Sequence, residues 1–145
     1  MADPHNSTDD TCPECGAPRV EGLTCAEQLG HLALWEWQDP ELLAEHFLTV
    51  AAYNLQHPAQ FTAAALAGLR QAFCDRLDHG TGIAELRRRA TQAYDGPRRV
   101  LRPARERHPV RRAWPMTIAD VYIPDRPAGA AGRVRAWAAA IRAAL

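Results

Sequence analysis

Cys12 and Cys15 are separated by two residues in the run Cys12-Pro13-Glu14-Cys15-Gly16, and Cys25 follows a short way on. A turn of this kind presents two thiolates on one side: Pro13 fixes its own φ, and Gly16 is free to adopt the left-handed conformation. Two sulfurs so placed are half of a tetrahedral zinc shell. A redox pair is the alternative, but such motifs follow a strand and open a helix, and no strand pattern precedes Cys12. A structural disulfide belongs to secreted chains, and nothing here marks secretion.

Helical arithmetic supplies the remaining ligand. Thr24 with Glu27 three residues on reads as a capping box, which puts Cys25 in the first turn of a helix ending near Gln38. Asp39-Pro40 is a turn that also opens a second helix, Glu41 to about Gln56, stopped before Pro58. Folding these helices antiparallel about residue 39 brings Cys25 to the neighbourhood of Tyr53 to His57. His57 then completes a Cys3His shell with Cys12, Cys15 and Cys25. His31 lies ~9 Å along the helix from Cys25, on another face, and His46 lies ~16 Å before His57. His46 becomes the fourth ligand instead only if the second helix is shifted along the first by about three turns.

The same register creates a second constellation. His46, Tyr53 and His57 share a face of the second helix, and Glu36 shares the face of Cys25, so Glu36 and His46 approach each other inside the hairpin. A carboxylate beside an imidazole is the pattern of general acid/base chemistry. It is equally the pattern of a buried ion pair, or of a histidine satisfied by a backbone carbonyl.

The segments Cys12-Pro-x-Cys-Gly-x-Pro18, His46-x2-Leu48-Thr49-Val50-x2-Tyr53-x-Leu55-Gln56-His57-Pro58 and Trp114-Pro115-Met116-Thr117-Ile118-Ala119-Asp120-Val121 together resemble a family of small bacterial proteins. The resemblance covers most of residues 12–57 and recurs near 114–141. The family brings no established activity. Its Leu-Thr-Val-Asp-x-Tyr version often carries an acid where this chain has Ala51, so any role of that acid is absent here.

The elements that must position these residues are helical. With 145 residues and 47% apolar content the chain suffices for one domain with a core, and it shows no period-2 strand pattern of useful length. The second helix carries Leu43, Phe47, Val50 and Leu55 toward that core. Thr62 caps a third helix with the stripe Leu66, Leu69, Phe73 and Leu77, ended by His79-Gly80; Cys74 flanks the stripe as a small buried hydrophobe. Thr81 caps a fourth helix, with Ile83, Leu86, Ala90 and Tyr94 on one face, stopped by Asp95-Gly96-Pro97. Thr117 and Asp120 suggest a short capped helix, and Val134, Trp137, Ile141 and Leu145 form the stripe of the last one. The expectation is an all-α bundle of about five helices, with an N-terminal zinc-knuckle-like turn attached to the first helical hairpin. Residues 1–11 read as a disordered N-terminus and 12–145 as a single helical metal-binding domain.

The net charge of zero hides an asymmetry: residues 1–60 hold ten acids and one arginine, residues 61–145 seven acids and sixteen arginines. All seventeen basic residues are arginine, which reflects base composition more than function. Seven of them fall in the stretch 97–112, together with three prolines. This reads as a basic connector resting on the acidic half, and the lack of interleaved aromatics argues against single-strand binding by stacking. No apolar run approaches a membrane span and no signal-peptide core is present, so a cytoplasmic location is expected. Three functions fit: a zinc-stabilised scaffold or regulator that binds a protein partner; a small metal-dependent enzyme of specialised metabolism with His46, Glu36 and Tyr53 lining a pocket; and a nucleic-acid-binding accessory protein using 97–112. A closed Cys3His shell favours the first.

Overall fold

A computed structural model describes residues 10–93 and 99–145. Residues 1–9 of the expected N-terminal tail lie outside the described residues, as do Tyr94, the Asp95-Gly96-Pro97 stop and Arg98. Among the described residues the fold is all-α: six helices, no strand, and three isolated β-bridges.

The first helix, α1 (Cys25–Trp35), begins where the sequence places it. The Thr24 side chain accepts from the backbone of Glu27, whose carboxylate accepts in return from the Thr24 N–H. Beyond Trp35 one tighter turn, Glu36 to Gln38, is held by i→i−3 hydrogen bonds. Asp39 then caps α2 (Pro40–Ala44) by accepting from the Glu41 and Leu42 N–H groups, with Pro40 at the first helical position.

The expected second helix is in fact two. It breaks at Glu45, where φ −96° and ψ 10° leave the helical range, and α3 (His46–Leu55) follows. Neither Pro nor Gly marks the break. Arg135 of the last helix holds both Glu41 (3.0 Å) and Glu45 (3.2 Å), while Glu36 holds His46, so tertiary contacts override a stretch of good helix formers. The break also rotates the expected apolar face: Leu43 and Val50 are exposed and Phe47 only half-buried, whereas Leu42, Leu48, Ala51, Ala52 and Leu55 are buried.

Thr62 caps α4 (Ala63–His79), which closes on a left-handed Gly80 at φ +64°. Thr81 does not cap the next helix. Its hydroxyl donates to the Asp75 carbonyl and seals the end of α4, and α5 (Ile83–Ala93) starts two residues later. Leu86 is the buried anchor of α5, and Ala90 faces solvent. From residue 99 an irregular segment leads through two 3-10 turns to α6 (Ala130–Ala144). One of those turns, Ile118–Asp120, carries the Thr117/Asp120 capping box.

α6 is the central strut, packed against α2, α3 and α4. Its residues Val134, Trp137, Ala138 and Ile141 are fully buried among Leu32, Leu42, Leu48 and Phe73. Each large apolar side chain so buried contributes about 1.5–3 kcal/mol. Among the polar groups that accompany them, Gln56 accepts from the Trp137 indole at 3.3 Å and donates to the Met116 carbonyl at 2.7 Å. This anchors the C-terminal end of α3, the end that carries the histidine of the candidate site.

Candidate metal centre

The knuckle is closed by backbone bonds from Cys12 N to Ala17 O (2.9 Å) and from Gly16 N to Cys12 O (3.0 Å). Gly16 has φ +80°, a conformation that disfavours a side chain, and a Cβ there would also stand 3.3 Å from the Arg111 guanidinium. Sulfur atoms take up nearby N–H groups: Cys12 Sγ accepts from Cys15 N, and Cys15 Sγ from Ala17 N. Asp10 and Thr11 join this structure, Thr11 by a bridge to Pro18 and Asp10 by an ion pair with Arg19 at 2.7 Å. Cys25 enters from the first turn of α1, where unpaired N–H groups and the helix dipole favour a thiolate.

The opposing residue comes from the end of α3. Gln56 ends the helix, and Pro58 opens a short 3-10 turn that turns the chain away after His57. His57 Nδ1 lies 2.7 Å from the Tyr53 carbonyl, which accepts its proton and leaves Nε2 as the nitrogen turned toward the sulfurs. Nε2 stands 3.6 Å from Cys12 Sγ and 3.5 Å from Cys25 Sγ. The Tyr53 ring stacks on the imidazole at 4.0 Å between centroids, with its hydroxyl 3.6 Å from Cys25 Sγ.

The ligand atoms of Cys12, Cys15, Cys25 and His57 all lie within 4.8 Å of one another. Metal bonds of ~2.3 Å to sulfur and ~2.0 Å to nitrogen give a tetrahedron with edges of about 3.5–3.8 Å. The two nitrogen–sulfur separations already have that length, so the cluster can hold a metal ion with small side-chain adjustments. His31 is elsewhere, its Nδ1 3.3 Å from the Tyr122 hydroxyl, and Cys74 lies half-buried on α4 outside the cluster.

The protonation of the four groups reflects their crowding. Hydrogen bonding from Cys15 first, with His57 and Tyr53 adding to it, pulls the Cys25 thiol down to about 3. The same bond to Cys25, reinforced by burial, pushes Cys15 strongly up. Burial opposes the charge on His57, but hydrogen bonds to Cys25, the Tyr53 carbonyl and Cys12 outweigh it and raise it to about 9. The centre thus gathers negative charge on Cys25 and shares the remaining protons around it.

One contributor escaped the sequence reading. Glu14, between the two knuckle cysteines, is 8% exposed, and its carboxylate accepts from the Ala59 N–H at 2.7 Å. Ala59 is two residues past His57, so this bond clamps the knuckle to the loop bearing that histidine. Its signal was an acid facing the free N–H groups of a Pro-initiated turn. The Glu14 carbonyl also accepts from Arg112 N at 3.2 Å, seating the basic segment beside the knuckle.

Glu36 and His46 meet as the antiparallel register requires, with Nδ1 of His46 2.8 and 3.0 Å from the two carboxylate oxygens. Glu36 is buried, whereas the His46 side chain is 55% exposed. Tyr53 does not join them: its hydroxyl is at Cys25, so the three residues do not converge on one pocket. In the basic stretch the described residues from 99 onward are largely exposed. Arg112 lies over the Trp114 ring and donates to the Ala144 carbonyl, and Arg102 donates to the Phe61 carbonyl.

A family described as a family of unknown function, DUF5946, matches residues 10–145. No curated protein and no solved structure matches the chain. Among the described residues no helix is long and apolar enough to cross a membrane.

Proposed function

The chain belongs to the DUF5946 family, and from that premise and the geometry of its cysteine–histidine cluster we propose a zinc-stapled helical scaffold. One Zn²⁺ is held by the thiolates of Cys12, Cys15 and Cys25 and by Nε2 of His57. Three thiolates suit a soft-to-borderline ion, and zinc is the one that takes Cys3His tetrahedra for structural purposes. The observation that carries this reading is that four protein ligand atoms fall within 4.8 Å, which fills the shell and leaves no position for a substrate. The ion joins the knuckle, the start of α1 and the end of α3, and so fixes the hairpin on which the rest of residues 12–145 packs as one unit. Reduced cysteines in such a shell suit a reducing compartment, consistent with a cytoplasmic protein. Residues 97–112 serve as a connector past the knuckle, and the protein acts through its surfaces on a protein partner.

Elemental analysis of the purified full chain tests the assignment. One zinc per chain is expected, lost in Cys25→Ala; full zinc occupancy in that variant removes Cys25 from the shell.

The Glu36–His46 contact favours a second reading. A buried carboxylate on Nδ1 orients a ring that is itself more than half exposed, the arrangement of a general base. In that reading the zinc remains structural and catalysis, if present, belongs to the other end of the hairpin.

A further inference from the structure

The turn end of the α1–α3 hairpin carries carboxylates and exposed apolar side chains, while the segment 99–112, tied down at the other end, carries arginines and exposed apolar side chains. We propose that the chain associates head to tail with a second copy of itself, the Trp37 end of one copy receiving the Val110 segment of the next. This deepens the scaffold reading by naming its partner.

The receiving end is built around the Glu36–His46 bond. Four large apolar side chains lie exposed close to it in sequence: Leu34 and Trp37 flanking Glu36, and Leu43 and Val50 flanking His46. Trp37 is 88% exposed, an unusual cost for the residue type that most often anchors interfaces. No arginine or lysine occurs between Arg19 and Arg70, whereas Glu36, Asp39, Glu41 and Glu45 all lie on α2 or in the turns beside it. Arg135 is the one cation paired into this end among the described residues, and it serves both Glu41 and Glu45.

The complementary surface is the segment from Arg99 to Arg112. Val110 is 74% exposed within it, Val100 and Leu101 are exposed nearby, and Arg99, Arg105, Arg107, Arg111 and Arg112 face solvent against the single acid Glu106. The segment is tied down at the knuckle end: Thr62 N donates to Val100 O, Phe61 bridges Leu101, and Arg112 N donates to Glu14 O. Cys25, at that end, is eleven residues from Glu36, ~16 Å of helix. The basic segment is therefore held away from its own chain's Trp37, and a second copy offers the matching charge and apolar surface. Because the two surfaces differ, the contact is heterologous and continues into a ring or a chain.

Sedimentation analysis of the full zinc-loaded chain over a range of concentration and salt tests this, with Trp37→Ser and Val110→Asp, both at exposed positions. Wild type is expected to grow beyond a dimer with concentration and to dissociate with salt, since exposed charges are screened. Each variant alone is expected to be monomeric, and an equimolar mixture of the two to form a heterodimer that grows no further, because each supplies the surface the other lacks. A wild-type chain that stays monomeric overturns the proposal, including one that instead binds duplex DNA. So does a dimer abolished by Trp37→Ser but kept by Val110→Asp, which would be symmetric, or a mixture that forms no complex. A folded, zinc-bound monomer would leave the staple intact, while failure of the staple appears separately as helical content indifferent to chelation.

Discussion

His57 Nδ1 lies 2.7 Å from the backbone carbonyl of Tyr53, one helical turn earlier. A carbonyl only accepts, so this bond fixes the tautomer and turns Nε2 toward Cys12 and Cys25. The Tyr53 side chain is a separate matter, with its hydroxyl at Cys25 Sγ. Tyr53→Phe keeps the backbone contact and removes only that hydroxyl. Zinc stoichiometry is expected to hold while affinity, measured by competition with a chromophoric chelator, falls about 10-fold. His57→Ala, by contrast, is expected to abolish stoichiometric binding.

Glu14 braces the site from outside the ligand set. Glu14→Gln keeps an amide oxygen for the Ala59 N–H and is expected to retain near-native zinc dissociation kinetics. Glu14→Ala strands that N–H and frees the His57 loop, at about 1–3 kcal/mol. Faster zinc release in the alanine variant, with the glutamine variant close to wild type, would separate the hydrogen bond from the charge.

How much of this was legible in the sequence depended on whether the signal was local. The Thr24/Glu27 box and the Asp39-Pro40 start each place a helix end by bonds within a few residues, and they bring Cys25 opposite His57. The break at Glu45 has no Pro or Gly to announce it; the Glu45 carboxylate is held by Arg135, ninety residues away, and Leu43 and Val50 lie at the surface. Thr81 looked like a cap because Ser and Thr before an apolar run usually are, but its hydroxyl found the Asp75 carbonyl first. Glu14 was passed over because its partner, the Ala59 N–H, lies forty-five residues away in the sequence.

Zinc binding should release protons, and its pH dependence follows. The thiol of Cys15 is held protonated well above the usual range by its bond to Cys25, and His57 is raised to about 9 by Cys25, against the opposing effect of burial. Both must lose a proton to ligate, so protons compete with the metal and apparent affinity rises with pH through neutrality. Stability derived from the ion is present at neutral pH and is lost as pH falls. Calorimetry in buffers of different ionisation enthalpy checks it: net proton release is expected, and proton uptake or a pH-independent affinity contradicts it.

His46 and Glu36 separate scaffold from enzyme. His46→Ala removes the partner of a carboxylate that is 7% exposed, and should lower stability by about 1–3 kcal/mol with zinc content unchanged. Denaturant unfolding and elemental analysis on the same sample measure both. Loss of zinc in this variant, with retention in His57→Ala, would make His46 the ligand.

The central claim is that the ion is structural, so its binding free energy is part of the folding free energy. The most direct measurement is thermal unfolding of the purified chain, followed by circular dichroism, before and after removal of metal by a strong chelator. The account predicts a large drop in melting temperature with loss of helical signal, restored by stoichiometric zinc. A metal-free chain that keeps its helices and its melting temperature would contradict it.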